Sequence, residues 1–423
     1  MQLDTSAFHH LSGENSVVFF EFAMNRKVQI GFIGAGAFIS AHHLKTAGET
    51  PFIEIRAIAD LNEELLAAHK AHYDIGYTTG DYRKLLEDDD IDLIVIGTRQ
   101  DTHAKLIVEA LDAGKWVWCE KPMCEKPEEE DQVIAAEKRA RGRLAIGFNR
   151  RFAPAIQEAR RLLEKLPRPW IINYLLQSNG GYKARAKDTF YHERPHIIYE
   201  GCHILDLATY IMGAPPKRVF MSGTEDENDI VILEYPDGSR FVLVITSHAG
   251  ANLLEKEAME ILTPGGAISL RDFIDMRVRG IPGEHDRLFL PERTPYGPEL
   301  QKWGYSYWEA LTSRFVEPDI DISPGIVPVK LAQTEQPFLK DIEAAFAPHR
   351  NSPWQMRNFV CDKGWIDAFR HFAKAFLEGS KPMTADGQAG KLANDIGFTL
   401  LQSKKTGIPK EFAAISRIKK ENS

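Results

Sequence analysis

Three glycines follow a short apolar segment near the start of the chain and could bind a diphosphate through backbone N–H groups. The segment from Lys27 to Gly36 reads K-V-Q-I-G-F-I-G-A-G, and the residues from Ala37 to Ala47 predict a helix after it. A strand, a glycine-rich turn and a helix in this order place free N–H groups and the positive end of the helix dipole at one point. The pattern is G-x-G-x-x-I, because the chain has isoleucine where the full fingerprint has a third glycine, which serves helix–strand packing more than phosphate contact. Taken alone, the pattern is also typical of a simple tight turn. The candidate diphosphate-binding residues are Gly34, Gly36, Ala37, Phe38 and Ile39.

An aspartate at the end of the next apolar segment could bind the ribose of the same nucleotide. The residues from Ile53 to Ala59 predict a second strand, and Asp60 follows it, 24 residues after Gly36. An acidic side chain at this position accepts hydrogen bonds from ribose hydroxyls, and its charge repels a 2′-phosphate. The sequence therefore predicts an NAD site, with NADP the less favoured cofactor. Asp60 could also cap the helix expected from Asn62 to Ala71, and the two roles are compatible.

Alternating strands and helices over residues 27–150 must position these groups. The residues from Asp92 to Gly97 form an apolar run typical of a parallel strand buried on both faces. A helix opening at Asp101, a strand at Trp116–Cys119, a helix from about Glu128 to Arg141 and a strand at Leu144–Phe148 follow. The alternation predicts an α/β Rossmann domain, a doubly wound parallel sheet whose ligand lies at the carboxyl ends of its strands. Thr98, His103 and Lys121 all stand at such ends.

Length and composition favour a globular protein of two domains. The 423 residues exceed one typical domain, and 43% hydrophobic with 26% charged residues is ordinary for a globular protein with a large core. A net charge of −8 without a basic, aromatic-flanked run argues against a nucleic-acid partner. No apolar run reaches transmembrane length, and Ser16–Phe22 lacks the features of a signal peptide. Four cysteines make neither a disulfide framework nor a zinc site, so a cytoplasmic protein away from membranes is expected.

The order of several short motifs resembles the Gfo/Idh/MocA family, named for glucose–fructose oxidoreductase, inositol dehydrogenase and rhizopine catabolism. The motifs span most of residues 27–213 and are G-F-I-G-A-G at Gly31–Gly36, Asp60, T-x-x-x-x-H-A at Thr98–Ala104, E-K-P at Glu120–Pro122, G-F-N-R-R-F at Gly147–Phe152 and G-C-H-x-x-D at Gly201–Asp206. The resemblance implies an NAD-dependent oxidoreductase that moves a hydride between the nicotinamide and a secondary alcohol of a sugar, sugar derivative or cyclitol. Two alternatives stay open: a glycoside-cleaving enzyme that uses NAD for transient oxidation and elimination, and a non-enzymatic NAD-binding regulator.

The resemblance places the lysine of the first E-K-P motif beside the nicotinamide and the substrate hydroxyl. Glu120–Pro122 follows a strand directly, whereas in the second copy, Glu125–Pro127, the lysine is expected in the loop before the next helix. A lysine near a cationic ring and away from bulk water has a lowered pKa and can transfer a proton at working pH. Lys121 is therefore the first catalytic candidate, and the cofactor-binding candidates at these strand ends are Thr98, His103, Glu120 and Lys121.

A predicted helix from about Glu200 to Met212 carries the second catalytic candidate, His203, which the resemblance places near the substrate hydroxyl. Its buried side is expected at Ile204, Leu205, Ala208, Ile211 and Met212, and Gly213 should end it.

The usual partner of this histidine is replaced in the sequence. The common family form has an aspartate four residues earlier, where this chain has Tyr199, and Glu200 follows. Either Glu200 takes over the carboxylate role, or Tyr199 contributes its hydroxyl, or no partner is used; Glu200 is favoured. Asp206 could orient His203 or face solvent.

A polar, partly cationic segment precedes this helix and could hold a polyhydroxylated or anionic substrate, or be a solvated loop. His192–His196 spells H-E-x-x-H, but Pro195 interrupts the continuous helix that a zinc site of this kind needs, so no metal is expected. The substrate-binding candidates are Arg151, Tyr182, Tyr191, His192, His203 and Asp206.

Residues 151–423 predict an α+β domain with a large, open, mostly antiparallel sheet. Expected strands are Trp170–Gln177, Asn228–Tyr235, Arg240–Ser247 and Glu257–Leu262, with hairpin-length turns after the second and fourth. The resemblance implies that the outer face of this sheet pairs subunits, so a homodimer or homotetramer is expected. Residues 1–26 form an N-terminal extension, residues 275–357 a probable insertion, and helices are predicted at Trp365–Glu378 and Gln388–Thr406.

Overall fold

The computed structural model describes residues 26–140, 143–177, 195–224, 228–246, 256–289 and 361–412. The chain divides into two compact units, the first made of residues up to Phe148 with Ile366–Lys391 and the second of Asn149–Trp365 with the residues from Leu392 on. The predicted boundary near residue 150 stays a prediction, but the return of residues 366–391 to the first unit was not anticipated. The predicted extension, residues 1–26, lies outside the described residues except for Arg26. The predicted insertion, residues 275–357, is described only up to residue 289, and that part contributes two strands to the second sheet.

The elements have the following bounds. The strands are β1 (Val28–Ile33), β2 (Ile53–Ala59), β3 (Tyr77–Thr79), β4 (Leu93–Ile96), β5 (Trp116–Cys119), β6 (Leu144–Ile146), β7 (Ile171–Gln177), β8 (Arg218–Gly223), β9 (Asp229–Glu234), β10 (Arg240–Thr246), β11 (Glu257–Thr263), β12 (Gly266–Arg271), β13 (Asp275–Arg279), β14 (Arg287–Leu288) and β15 (Lys410–Glu411). The helices are α1 (Ala37–Ile39, a π turn at Ser40–Leu44, then Lys45–Glu49), α2 (Glu63–His72), α3 (Arg83–Glu87), α4 (His103–Asp112), α5 (Pro127–Arg139), α6 (Pro154–Leu163), α7 (His196–Tyr199), α8 (Cys202–Met212), α9 (Trp365–Glu378) and α10 (Gly387–Thr406).

The first unit contains a six-stranded parallel sheet in the order β3-β2-β1-β4-β5-β6. This order is that of doubly wound dinucleotide-binding sheets, so the predicted Rossmann domain is confirmed. All four residues of β4 are buried, as expected for a central parallel strand. Helix α9 packs against the same sheet, with the rings of Phe369 and Phe372 centred 5.5 and 5.9 Å from Trp118.

The end of β4 approaches α1 closely at the position where the glycine fingerprint is incomplete. A Cβ atom on Gly97 would lie 2.1 Å from both Cγ1 and Cδ1 of Ile39, and Ile39 is buried. In the full fingerprint, the third glycine allows the helix to pack closely on the strand. In this chain the glycine that allows this close packing is Gly97, on the strand. Gly34, at φ +85°, also requires glycine, because a Cβ there would lie 2.9 Å from the carbonyl carbon of Gly97.

The second unit contains a nine-stranded sheet in the order β14-β13-β12-β11-β7-β10-β9-β8-β15. Strands β7 and β10 pair in parallel, and the remaining neighbours pair antiparallel. The predicted mostly antiparallel sheet is thereby confirmed. Buried side chains alternate with partly exposed ones along β10 and β11, so one face of the sheet is buried and the other is partly exposed.

Two general properties of the described residues bear on the class of protein. None of the helices in the described ranges has the length and apolar character needed to cross a bilayer. The thiols of Cys119, Cys124, Cys202 and Cys361 are all buried and none forms a disulfide.

Gly97→Ala should lower the free energy of unfolding by about 1–3 kcal/mol, because the new methyl group would overpack Ile39. Urea unfolding followed by fluorescence measures the loss. In an Ile39→Ala background the same methyl group should be tolerated, so the double-mutant cycle should give a coupling energy of about 1 kcal/mol or more. If the effects of the two substitutions on the free energy of unfolding were additive, the interpretation that Gly97 makes room for the side chain of Ile39 would be contradicted.

Candidate functional site

The glycine turn between β1 and α1 has the geometry of a diphosphate site. Gly36 is the N-cap of α1, with no side chain capping the helix, and a Cβ built on it would meet no atom within 4 Å. The space in front of the turn is therefore open. Since the first N–H groups of a helix have no partner within the helix, they are available to an anion there. The residues present fit the diphosphate of a dinucleotide.

Asp60 is tied to this turn by its carboxylate. Its Oδ2 accepts a hydrogen bond from the backbone N–H of Ala35 at 2.8 Å, and its Oδ1 accepts one from Asn62 at 2.9 Å. Each oxygen retains a second lone pair that a ribose hydroxyl can use. The predicted capping role was wrong: α2 begins at Glu63, and Asn62 caps it by accepting from the N–H of Leu65 at 3.0 Å.

Two polar side chains behind the turn were missed by sequence reasoning. The hydroxyl of Ser40 donates toward the carbonyls of Ala35 and Gly36, at 2.8 and 2.9 Å. The buried Nε2 of His69, on α2, lies 3.0 Å from that hydroxyl and 3.2 Å from the Ala35 carbonyl. These contacts keep the carbonyl groups of the turn pointing toward the protein. The serine one turn into α1 was a readable signal, since serine often bonds back to the preceding turn of a helix, but nothing in the sequence pointed to His69.

His103 lies between the ends of β4 and β5. Its Nδ1 lies 2.8 Å from the carbonyl of Pro122, its Nε2 lies 3.3 Å from the carbonyl of Thr98, and the ring is 1% exposed. Burial lowers the pKa of His103, so the ring is neutral and its Nδ1–H donates to Pro122. The hydroxyls of Thr98 and Thr102 lie 2.6 Å apart at the same strand end. The contacts of His103 therefore fix the residue after Lys121.

Glu120, the residue before Lys121, is held by hydrogen bonds in a buried position. Its Oε1 lies 2.7 Å from Nε2 of His43 and accepts from Nε1 of Trp118 at 3.3 Å. Burial alone would raise the pKa of Glu120, but the hydrogen bond and charge of His43, the bond from Trp118 and the charge of Lys121 together lower it. The carboxylate is thus ionised in a buried position, one residue before a partly buried Lys121.

The second E-K-P copy begins a helix. Lys126 is the N-cap of α5, and its backbone N–H and that of Glu125 donate to the side chain of Glu129 at 3.3 and 3.2 Å. The two copies therefore have different surroundings, and only the first follows a strand of the sheet directly.

In the second unit, His203 lies in the first turn of α8 and is 6% exposed. Its backbone N–H donates to the carbonyl of Glu200 at 3.2 Å. The prediction that Glu200 lies in this helix was wrong, because Glu200 is the C-cap of α7 and Gly201 separates the two helices. A Cβ on Gly201 would lie 2.6 Å from the carbonyl oxygen of Ile197, so only glycine permits this junction. The predicted buried side of α8 and its predicted end at Gly213 are confirmed.

Asp206 binds Arg151. Both carboxylate oxygens accept from the guanidinium, with Nε 2.8 Å from Oδ2, and Asp206 is 2% exposed. The guanidinium also lies over the ring of Tyr210, 5.1 Å from its centroid. The alternative in which Asp206 faces solvent was wrong. The pair connects α8 to the turn at Asn149–Phe152.

A buried charge cluster beside α7 was also missed. Glu257, 2% exposed, accepts from Nε and Nη2 of Arg150 at 2.8 Å each, from Nζ of Lys363 at 2.6 Å and from the hydroxyl of Tyr174 at 2.5 Å. Burial alone would raise the pKa of Glu257, but the charges of Arg150 and Lys363 hold it well below its ordinary value. A glutamate at an inward position of a sheet strand was the available signal, since a buried carboxylate needs a partner.

Glu200 lies at the edge of this cluster. Its Oε1 is 3.8 Å from Nη2 of Arg150 and 3.7 Å from Nζ of Lys256. Burial, with a smaller contribution from Lys363, lowers the pKa of Lys256 to about 8. Tyr199 precedes Glu200 and is buried. Three substrate-binding candidates, Tyr182, Tyr191 and His192, lie outside the described residues.

Comparison with known proteins identifies the first unit. Residues 28–148 match a family described as an oxidoreductase family with an NAD-binding Rossmann fold, Gfo/Idh/MocA. The uncharacterized oxidoreductase YrbE of Bacillus subtilis is 30% identical over 242 residues, which cover 54% of this chain and 66% of that protein. Inositol 2-dehydrogenase 2 of Saccharopolyspora erythraea is 27% identical over 293 residues, 65% of this chain and 84% of that protein.

Among solved structures, a levoglucosan dehydrogenase in complex with NADH shares the fold, with a TM-score of 0.66 at 19% identity. The match covers 92% of this chain and 100% of that one. The family match confirms the predicted NAD cofactor and the predicted class, an oxidoreductase.

Asp60→Ala should weaken NADH binding about tenfold and reduce discrimination against NADPH, because the substitution removes the acceptor of the Ala35 N–H and the negative charge together. Asp60→Asn is the matched variant, since it keeps one acceptor oxygen but loses the charge. Quenching of protein fluorescence by NADH and NADPH gives both dissociation constants. Unchanged cofactor preference in both variants would remove Asp60 from the ribose site.

Proposed function

Since residues 28–148 of this chain match the Gfo/Idh/MocA oxidoreductase family, we propose that the protein is an NAD-dependent dehydrogenase acting on a secondary alcohol of a sugar, sugar derivative or cyclitol. The names of two similar proteins support this class, because inositol and levoglucosan are both ring compounds with several hydroxyl groups. The observation that carries the proposal is the position of Lys121 at the carboxyl edge of the parallel sheet, one residue after the buried, ionised Glu120. Ligands of such sheets bind at this edge.

The residues of the chain have separate tasks in this proposal. The glycine turn and Asp60 bind and orient the dinucleotide, which accepts the hydride. Lys121 receives the proton of the alcohol, and His103 and Glu120 keep its backbone in place by fixing both neighbouring residues. We assign His203, on α8, the second role in handling this proton, as relay or orienter. Glu200 interacts with Arg150 and Lys256, which supports a role in charge balance over one as the carboxylate partner of His203.

Lys121→Ala should lower kcat at least 100-fold, because it removes the general base, while the dissociation constant of NADH changes little. NADH formation is followed by absorbance with a panel of cyclitols, free sugars, glycosides and sugar acids. Lys126→Ala is the matched control, because it changes the same residue type in the second E-K-P copy and should leave kcat unchanged. Near-normal turnover in Lys121→Ala would contradict the assignment. Cleavage of a glycoside without net NADH would favour the glycoside-cleaving alternative.

The outer face of the nine-stranded sheet supports the expected homodimer. Ile230, Val244 and Leu175 lie side by side on β9, β10 and β7, and Ile230 is 50% exposed. Ile232 and Val242 form the adjoining row on the same face. Ile230 is exposed and its four apolar neighbours are half-buried, and a contiguous, partly exposed apolar face on a broad sheet is typical of a subunit interface. We propose that a second copy of the chain covers it.

Ile230→Asp should convert the homo-oligomer into a monomer, because a charge would be buried at the centre of the interface. Size-exclusion chromatography with light scattering gives the mass. Met383→Asp is the control, since Met383 is 71% exposed in the first unit and should not affect assembly. An unchanged mass for Ile230→Asp, or a wild-type monomer, would be inconsistent with this interface.

A further inference from the structure

His43 is a buried histidine that has no role in the reaction proposed above, and it lies close in sequence to the nucleotide-binding turn. A π turn at Ser40–Leu44 interrupts α1, and π turns within helices are frequent at functional sites. At one end of this π turn, the hydroxyl of Ser40 donates to two carbonyls of the glycine turn. At its other end, Nε2 of His43 lies 2.7 Å from Oε1 of Glu120, the residue before Lys121. One turn of helix therefore connects the candidate diphosphate site with the end of β5.

The protonation state of Glu120 decides which atom donates in this contact. Although burial raises the pKa of Glu120, the hydrogen bond and charge of His43 and the bond from Trp118 lower it overall, so the carboxylate is ionised. A carboxylate only accepts hydrogen bonds, so Nε2 of His43 carries a hydrogen and donates it to Oε1. Nε1 of Trp118 donates to the same oxygen at 3.3 Å. Loss of either donor would leave a buried charge poorly compensated, so the two bonds hold the carboxylate in one direction.

Aromatic rings pack around His43 and fix its position. The centroid of its ring lies 5.0 Å from that of Phe369, 5.5 Å from that of Trp118 and 5.8 Å from that of Phe38. The imidazole is 1% exposed. Because interiors are closely packed, the ring cannot turn away from Glu120 without displacing these neighbours. Phe38 is itself partly exposed at the start of α1, where the dinucleotide is proposed to bind.

The carboxylate of Glu120 is also closely confined on the side of β6. A Cβ atom built on Gly147, the residue after this strand, would lie 2.7 Å from Oε1 of Glu120 and 3.0 Å from its Oε2. Glycine at this position therefore makes room for the carboxylate. The hydrogen bonds from His43 and Trp118 and the space left by Gly147 together give Glu120 one arrangement, and all four residues belong to the first unit.

We propose that His43 is a positioning residue of the dehydrogenase, which by donating to Glu120 fixes the direction of Lys121 and links it to α1, whose first N–H groups bind the diphosphate. This inference rests on the proposed function and adds a residue to it. Lys121 follows Glu120 directly, so a rotation of the Glu120 backbone moves the ammonium group relative to the substrate hydroxyl. A displacement of about 1 Å at a reacting group can lower a rate about 100-fold.

His43→Leu removes the donor but keeps an apolar side chain among the rings. We expect it to lower kcat about 30-fold, while KM and the Kd of NADH change less than about threefold, because the binding contacts remain. NADH formation with the best substrate of the panel gives kcat and KM, and fluorescence quenching gives Kd. His43→Gln should recover most of kcat, because its Nε2–H can take the place of the imidazole Nε2–H. His72→Leu, at an exposed histidine of α2 in the same unit, is the matched control and should behave as the wild type.

A double-mutant cycle separates positioning through Glu120 from packing alone. Glu120→Met keeps the length of the side chain and removes the carboxylate. In this background His43→Leu should lower kcat by less than about threefold more, because His43 acts through the carboxylate that is already absent. Equal effects of His43→Leu in both backgrounds would assign His43 a packing role and overturn the inference. Near-normal kcat in His43→Leu, or a His43→Gln variant no more active than His43→Leu, would also overturn it.

Chemical labelling of lysine tests the inference without a substrate. Reductive methylation of the NADH-loaded protein, mapped by mass spectrometry of its peptides, gives the rate at which Lys121 reacts, with the exposed Lys126 as an internal control. Because Lys121 is partly buried, a change in its direction changes its access to the reagent. His43→Leu should therefore change the rate at Lys121 several-fold and leave that at Lys126 unchanged. An unchanged rate at Lys121 would overturn the inference.

The two proposals can fail separately. Full turnover in His43→Leu beside loss of turnover in Lys121→Ala would uphold the dehydrogenase and reject the positioning role. A changed labelling rate at Lys121 without NADH formation from any substrate would uphold the link between His43 and Lys121 and contradict the dehydrogenase proposal.

Discussion

The first unit depends on a close contact between the backbone after β1 and the end of the neighbouring parallel strand β4. After β1 the backbone turns at Gly34 directly against the carbonyl of Gly97 at the end of β4, and Ile39 of α1 fills the space beside Gly97. A side chain at either glycine would push α1 away from the sheet, and the N–H groups at the start of α1 would leave the position that binds a diphosphate. Asp60, Ser40 and His69 then fix the turn that this steric constraint permits.

Two buried carboxylates show how each unit stabilises its polar groups. Glu120 is kept ionised by His43 and Trp118 under the end of β5, and Glu257 by Arg150 and Lys363 inside the second sheet. Removing one member of such a group leaves a charge without its partner, which costs about 3–5 kcal/mol, so each group holds its segment in one conformation. The first group fixes the backbone before Lys121. The second holds Arg150, whose guanidinium lies 3.8 Å from Oε1 of Glu200.

The parts of the fold that depend on local pattern could be predicted from the sequence. The glycine turn, Asp60, the helix Trp365–Glu378, the first sheet apart from its edge strand β3, and the four central strands of the second sheet follow from periodicity, glycine positions and short motifs. The outer strands of the second sheet were not predicted. Contacts between residues distant in sequence could not be predicted. Arg150 and Glu257 are 107 residues apart, and Arg151 and Asp206 are 55 apart, so nothing local pairs them. The junction at Gly201 was missed for the same reason, because the need for glycine comes from the carbonyl of Ile197.

The return of the chain to the first unit has a consequence for biosynthesis. The rings of Phe369 and Phe372 cover Trp118 on β5, and the backbone N–H of Ile146 on the edge strand β6 donates to the carbonyl of Ala385. At typical translation rates, the ribosome needs roughly 10–50 seconds to extend the chain from Phe148 to this segment. During that interval the nascent nucleotide-binding sheet has an uncovered aromatic face and an unpaired edge, which are the features that chaperones bind and that promote aggregation. The nucleotide-binding unit is therefore completed only after the intervening residues 149–365 have been made, although most of its own residues are made before them.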